Sequence, residues 1–194
     1  MKSSIITDVK HFRLCGLAAT VAAVAVACAA GLADAPKPGT VAPGIIGTTA
    51  DGKVVSLKEE LKNGPVLVYF ISTTCPVSRI ATPQYTKYAK AYQAQGIKVI
   101  GVVNSGKDGF LKWNEAHAAP YPVVLDPGYK VIRSYGVEKA PSSALISKDG
   151  KVVKFWSGFS RGFLEETSAA SAKALGKAPI KIDFKGAPAN WMAG

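Results

Sequence analysis

The chain reads as an α/β protein with a central mixed β-sheet flanked by helices. Three patterns predict this. Residues 65–72 form a continuous apolar run of strand length, as a central buried strand requires. A helical pattern over 76–95 follows at once, and a second apolar run, 97–103, comes next. Strand, helix, strand implies parallel strands joined by a crossover helix. Residues 143–147 and 151–156 are strands separated by Lys148-Asp149-Gly150, which reads as a hairpin and adds antiparallel pairing at the end.

The remaining elements follow in order. Residues 34–41 are a proline- and glycine-bearing linker. Residues 44–57 read as irregular chain leading to a short strand, with Asp51-Gly52 as the turn before Lys53-Val54-Val55-Ser56-Leu57. Residues 58–62 are one helical turn, stopped by Asn63-Gly64-Pro65. In the long helix Ile80, Tyr85, Tyr88, Ala89 and Tyr92 recur at helical spacing, and Gly96 is a natural stop. Pro83 inside this pattern predicts a kink or a break. A shorter helix over 107–118 ends before Pro120, 122–125 is extended, Asp126-Pro127-Gly128 is a turn, and 129–135 is a helical turn closed by Gly136. The last helix is 163–175. The tail, 177–194, reads as irregular, with an exposed-looking Trp191.

A chain of 194 residues, 48% of them hydrophobic, suffices for one domain with a sizeable core. Its net charge of +11 comes from scattered lysines, with no arginine-rich block and no basic–aromatic interleaving. That describes a solvated basic surface, not a nucleic-acid-binding face. Lys2, Lys10 and Arg13 precede an uncharged, alanine-rich stretch over 14–32, so residues 1–33 read as a secretory leader. The stretch also suits an uncleaved membrane anchor. Ala25-Val26-Ala27-Cys28 loosely resembles a lipoprotein box without its usual leucine. Cleavage, retention and lipidation at Cys28 all stay open, and each places the domain, 34–176, in the periplasm or cell envelope. Neither a phosphate loop nor a dinucleotide fingerprint is present, and no second cysteine or histidine pair completes a metal site; no cofactor is expected.

Cys15 and Cys28 fall in the leader, so Cys75 is the one thiol of the domain and has no internal disulfide partner. In an oxidising compartment such a thiol is either buried and inert or used with an external partner. Cys75 stands where an apolar run ends and a helix begins. Unpaired backbone N–H groups and the helix dipole there favour the thiolate, the nucleophilic form. Thr73 and Thr74 read as loop residues able to cap the helix. Ser78, one helical turn on, cannot attack sulfur, but its hydroxyl can donate to the thiolate. Arg79 lies four residues after Cys75 on the same helix face, and reads equally as a thiolate partner or a surface charge. His117, near a helix end, reads as solvent-facing.

A strand ending in Phe70 is followed five positions later by Cys75-Pro76. Gly136-Val137-Glu138-Lys139-Ala140-Pro141-Ser142 fits a G-V-x-x-x-P-[ST] loop. The stretch from Ala144 to Val152 gives strand, turn and strand, and Lys53-Val54-Val55-Ser56-Leu57 lies upstream. Together these resemble the redoxin and alkyl-hydroperoxide-reductase/thiol-specific-antioxidant group of the thioredoxin-like superfamily, over roughly residues 38–175. The resemblance implies a thioredoxin-like fold and redox chemistry at Cys75, supported by Pro76, Ser78, Thr74 and Arg79. It also implies a cis peptide before Pro141, whose loop, with Ala140, leaves backbone groups free to pair with an extended substrate.

The departures narrow the chemistry. Dithiol members carry a second cysteine where Ser78 stands, so dithiol disulfide reduction is not expected. Peroxiredoxins carry P-x-x-x-[ST]-x-x-C; Ser72 fits, Val68 replaces the proline, and their activating arginine is absent near Pro141. The expected function is an exported, single-cysteine thiol oxidoreductase acting on a peroxide or a protein disulfide and resolved by an external thiol. The alternative is a redox-inactive binding or assembly module.

Overall fold

The computed structural model describes residues 33–194. The predicted leader, with Cys15, Cys28 and the anchor and lipidation readings, lies outside the described residues. Among the described residues no helix is long and apolar enough to cross a membrane.

The elements run β1 (Ile46–Thr48), β2 (Val54–Ser56), α1 (Leu57–Glu60), β3 (Val66–Ile71), α2 (Pro76–Gln93), β4 (Lys98–Val103), α3 (Lys107–His117), β5 (Val123–Leu125), α4 (Lys130–Ser134), β6 (Ser142–Ile146), β7 (Val152–Ser157) and α5 (Arg161–Leu175). The main sheet has the order β5-β4-β3-β6-β7. β3 pairs in parallel with β4 and antiparallel with β6, so it is central, and all six of its residues are buried. Burial on both faces is why it reads as an unbroken apolar run.

The two faces of β3 build two cores. Leu67, Tyr69 and Ile71 pack with Tyr85, Tyr88 and Tyr92 of α2 and Leu164 of α5. Val66, Val68 and Phe70 pack with Leu57 of α1 and with Val131 and Ile132 of α4. Three tyrosines of α2 enter the first core, where a buried hydroxyl without a partner costs about 1–3 kcal/mol. Each finds a serine. Tyr85 donates to Ser143 Oγ at 3.0 Å, Tyr92 donates to Ser168 O at 2.7 Å, and Tyr88 pairs with Ser171 Oγ. Burial in turn pushes the Tyr85 phenol up to about 12.

The mixed α/β expectation holds, with differences of detail. β1 falls in chain expected to be irregular; it pairs antiparallel with β2, but Ile46 and Val54 are exposed, so no buried alternation marks it. Pro83 does not break α2, which runs through it as one element. The carbonyl deprived of its N–H partner belongs to Arg79, and Arg79 and Pro83 both lie on the exposed face. Ile80, expected on the apolar face, is 42% exposed. The last helix starts earlier than expected because Ser160 caps it, its Oγ accepting the Phe163 N–H at 3.1 Å.

The tail, residues 177–194, has no helix or named strand, yet it is seated. Phe184 and Ala187 are buried in the first core. Gln84 Nε2 donates to Lys185 O at 3.2 Å, and Met192 and Phe159 exchange two backbone hydrogen bonds at 2.8 Å.

Candidate active site

Antiparallel pairing of Phe70 with Ser142 sets the chain leaving β3 beside the chain entering β6. Cys75 follows the first and Pro141 precedes the second, so residues 66 positions apart in sequence meet at one end of the sheet. The Ala140–Pro141 peptide is cis, as the resemblance implies. The Cys75 thiol donates to the Ala140 carbonyl at 3.3 Å.

Cys75 itself caps α2. Its backbone is extended, its Sγ accepts the Ser78 N–H at 3.4 Å, and Pro76 takes the first helical position, where its missing N–H costs nothing. This corrects the reading of Thr73 and Thr74 as caps. Thr74 is exposed and its hydroxyl pairs with Ser72 Oγ at 3.2 Å. The Thr73 N–H donates to Asn104 Oδ1 at 3.1 Å. Ser78 is fully buried and supplies the sulfur with its backbone N–H, not its hydroxyl, which accepts the Ser72 N–H at 3.2 Å.

The first turn of α2 is tied to the sheet through Tyr69, whose hydroxyl pairs with Thr82 Oγ1 at 3.0 Å; Thr82 Oγ1 donates to Ser78 O at 2.8 Å. Burial, then the neighbouring Tyr121, holds the Tyr69 phenol well above its ordinary range, so it stays neutral.

Arg79 is not brought to the sulfur. Among the described residues the hydrogen-bond partners of Cys75 Sγ are the Ser78 N–H and the Ala140 carbonyl. Arg79 instead lines an open depression of about 360 Å³ with Thr73, Lys112 and His117. His117 is half-buried rather than freely solvent-facing: its ring stacks on Trp113 at 4.2 Å, and Nδ1 meets Trp113 O at 2.6 Å.

Two residues near the site escape sequence reasoning. Asn104, at the C-terminal end of β4, accepts from Thr73 and donates through Nδ2 to Ser72 Oγ at 3.1 Å. Its signal was a polar residue just past a buried strand, adjacent to the strand that carries the cysteine. Gly194 has no such signal. Its N–H donates to Ala140 O at 2.9 Å, and its backbone oxygen accepts the Ala140 N–H at 3.0 Å. The backbone groups of Ala140, expected to be free, are therefore taken by the chain's own tail.

A family model described as AhpC/TSA family matches residues 38–155. The chain belongs to the AhpC/TSA family. It is similar to the thiol-disulfide oxidoreductase ResA of Bacillus anthracis, 33% identical over 117 residues, which cover 60% of this chain and 67% of that one. Among solved structures it is similar to a putative thiol:disulfide interchange protein DsbE from Chlorobium tepidum. That likeness has a TM-score of 0.68 and 27% identity, and covers 73% of this chain and 99% of that one. The peroxidoxin BcpB of Mycobacterium tuberculosis, at 21% identity and a TM-score of 0.58 over 73% of this chain and 95% of that one, shares the fold. The thioredoxin-like architecture of this AhpC/TSA member is thus shared with redox proteins. The family match ends within β7, so α5 and the tail that reaches Ala140 lie beyond it.

Proposed function

We propose that the protein is an exported, single-cysteine thiol–disulfide oxidoreductase acting through Cys75. One observation carries this reading: the sulfur caps a helix N-terminus, receives a backbone N–H, and faces the Ala140–Pro141 loop. The similarity to ResA and to the DsbE structure supports disulfide chemistry over peroxide chemistry, and the leader pattern supports export.

In the step proposed, the Cys75 thiolate attacks one sulfur of a protein disulfide. A new S–S bond joins that sulfur to Cys75, and the electron pair of the old bond leaves with the second sulfur, which takes a proton. Ser78 cannot resolve the mixed disulfide, so an external thiol attacks its substrate sulfur; a new S–S bond joins those two sulfurs, and the electron pair of the broken bond returns to Cys75, which takes a proton. Ser78 and Pro76 hold the helix start, and Ala140 and Pro141 bound the docking edge; Thr74 pairs with Ser72 and Arg79 lines the depression beside His117, so neither acts on the sulfur directly.

The test is reaction of the full chain with oxidised glutathione, then with free thiol. A reversible adduct on Cys75, absent in Cys75→Ser, is expected. A trappable sulfenic acid with peroxide and no glutathione adduct would move the reading to one-cysteine peroxide reduction. One observation favours the redox-inactive binding module: Cys75 is only 6% exposed. A chain that forms neither product, even with its tail loosened, is that module.

A further inference from the structure

The tail reaches Ala140 by a defined route. Arg161 N–H donates to Pro188 O at 2.8 Å, and its guanidinium donates to Ala187 O at 3.2 Å. Trp191 Nε1 donates to Ser157 O at 2.8 Å, with the Lys139 ammonium 5.0 Å from the indole. Met192 then pairs both ways with Phe159, and Gly194 pairs both ways with Ala140. Trp191–Gly194 thus lies as an extended segment along the edge proposed to take substrate.

Gly194 sits against the sulfur. A Cβ built on it would lie 2.8 Å from Cys75 Sγ. In a disulfide each Cβ lies about 3 Å from the far sulfur, since the S–S bond is about 2.04 Å. No ordinary side chain fits at that distance, but a cysteine bonded to Cys75 does.

We infer that Trp191–Gly194 is an intramolecular substrate mimic. It holds the docking edge in the register of a mixed disulfide, with glycine where the substrate cysteine stands, and a disulfide-bearing extended peptide must displace it to reach Cys75. Glycine lets the strap close over the thiol without reacting with it. The strap's role as a mimic rests on the disulfide-exchange reading; its effect on access to Cys75 does not.

The experiment uses the full chain with Cys15 and Cys28 replaced by serine. In that background Gly194→Cys, equilibrated with oxidised glutathione, is expected to form a disulfide between Cys75 and the introduced thiol, with two glutathione thiols released. Separate glutathione adducts on the two thiols would overturn the register. Trp191→Ala, at a half-exposed position, removes the anchor to Ser157 and is expected to speed alkylation of Cys75 by iodoacetamide about fivefold or more, the worth of one net hydrogen bond. Faster hydrogen exchange at the Ala140 N–H is expected with it. An unchanged alkylation rate, or a faster one with Ala140 still protected, would overturn the strap. Alkylation needs no redox turnover. Fast alkylation in Trp191→Ala without any reaction with disulfides would sink the exchange reading and leave the strap standing.

Discussion

Asn104 accepts the Thr73 N–H at 3.1 Å and so fastens the end of β4 to the loop that delivers Cys75. Its amide also donates to Ser72 Oγ at 3.1 Å and to the Tyr129 hydroxyl at 3.3 Å. One side chain therefore sets the path of residues 72–75 from outside the helix. Asn104→Ala should cost about 1 kcal/mol per bond lost and slow glutathione adduct formation at Cys75 severalfold. Asn104→Asp keeps the acceptor for Thr73 and loses the donor, so it should retain more of the rate. Equal rates in all three chains, measured beside their urea midpoints, would show that Asn104 contributes to stability alone.

Ser78 marks the missing resolving thiol. Its backbone N–H lies 3.4 Å from Cys75 Sγ, so the residue borders the sulfur, although its hydroxyl is turned to the Ser72 N–H. Ser78→Cys should convert oxidation by glutathione from a stable adduct on Cys75 to an internal disulfide, visible as the loss of both thiols without added mass. Its cost should be about 1 kcal/mol, because sulfur accepts the Ser72 N–H less well than a hydroxyl does. A persistent adduct on Cys75 would mean that the helix start cannot close the bond.

What could be read in advance follows from where each signal is stored. β3 and β4 are legible because burial on both faces leaves unbroken apolar runs, and the β6–β7 hairpin because Asp149-Gly150 marks its turn. Cys75 is legible because it stands where one such run gives way to a helix. β1 is hidden because Ile46 is exposed on a short edge strand. The roles of Asn104 and Gly194 depend on pairings with residues far off in sequence, and neither falls in a periodic segment. The seat of the tail is hidden for a related reason: single residues, Phe184 and Ala187, do the packing, and isolated anchors leave no period.

The tyrosine core predicts a sharp alkaline limit. Burial raises Tyr85 to about 12, pushes Tyr88, Tyr121 and Tyr135 higher still, and holds Tyr69 well above its ordinary range. In the unfolded chain a phenol titrates near 10. Below that pH both states hold the proton, and the contribution of these groups is fully present. Above it the unfolded chain releases protons that the folded chain keeps, so stability falls by about 1.4 kcal/mol per pH unit for each phenol until its folded value is passed. The urea midpoint should be nearly flat from about pH 8 to pH 9.5 and drop steeply beyond about 10.5. Tyr85→Phe should remove one phenol's share of that slope between about 10 and 12; an unaltered slope would mean that Tyr85 is not held protonated by the core.

Phe184 tests whether the tail belongs to the domain's cooperative unit. It is 5% exposed and shares a core cluster with Tyr88 and Leu164, although the segment around it has no regular structure. Its neighbours are held by side chains of α2: Lys87 Nζ donates to Asp183 O at 2.9 Å, and Gln84 Nε2 donates to Lys185 O. Truncating a buried phenylalanine removes its transfer energy and leaves a cavity that rigid neighbours only partly fill. Phe184→Ala should therefore lower stability by about 3 kcal/mol in a single urea transition, while Lys181→Ala, on the exposed side of the same segment, should change it by less than about 0.5. Because Phe184 seats the chain that leads to Trp191, the same substitution should also speed alkylation of Cys75. A tail that unfolds separately would give a different pattern: an unchanged main transition, a smaller denaturant slope, and a Cys75 that reacts as fast in the parent as in the variant.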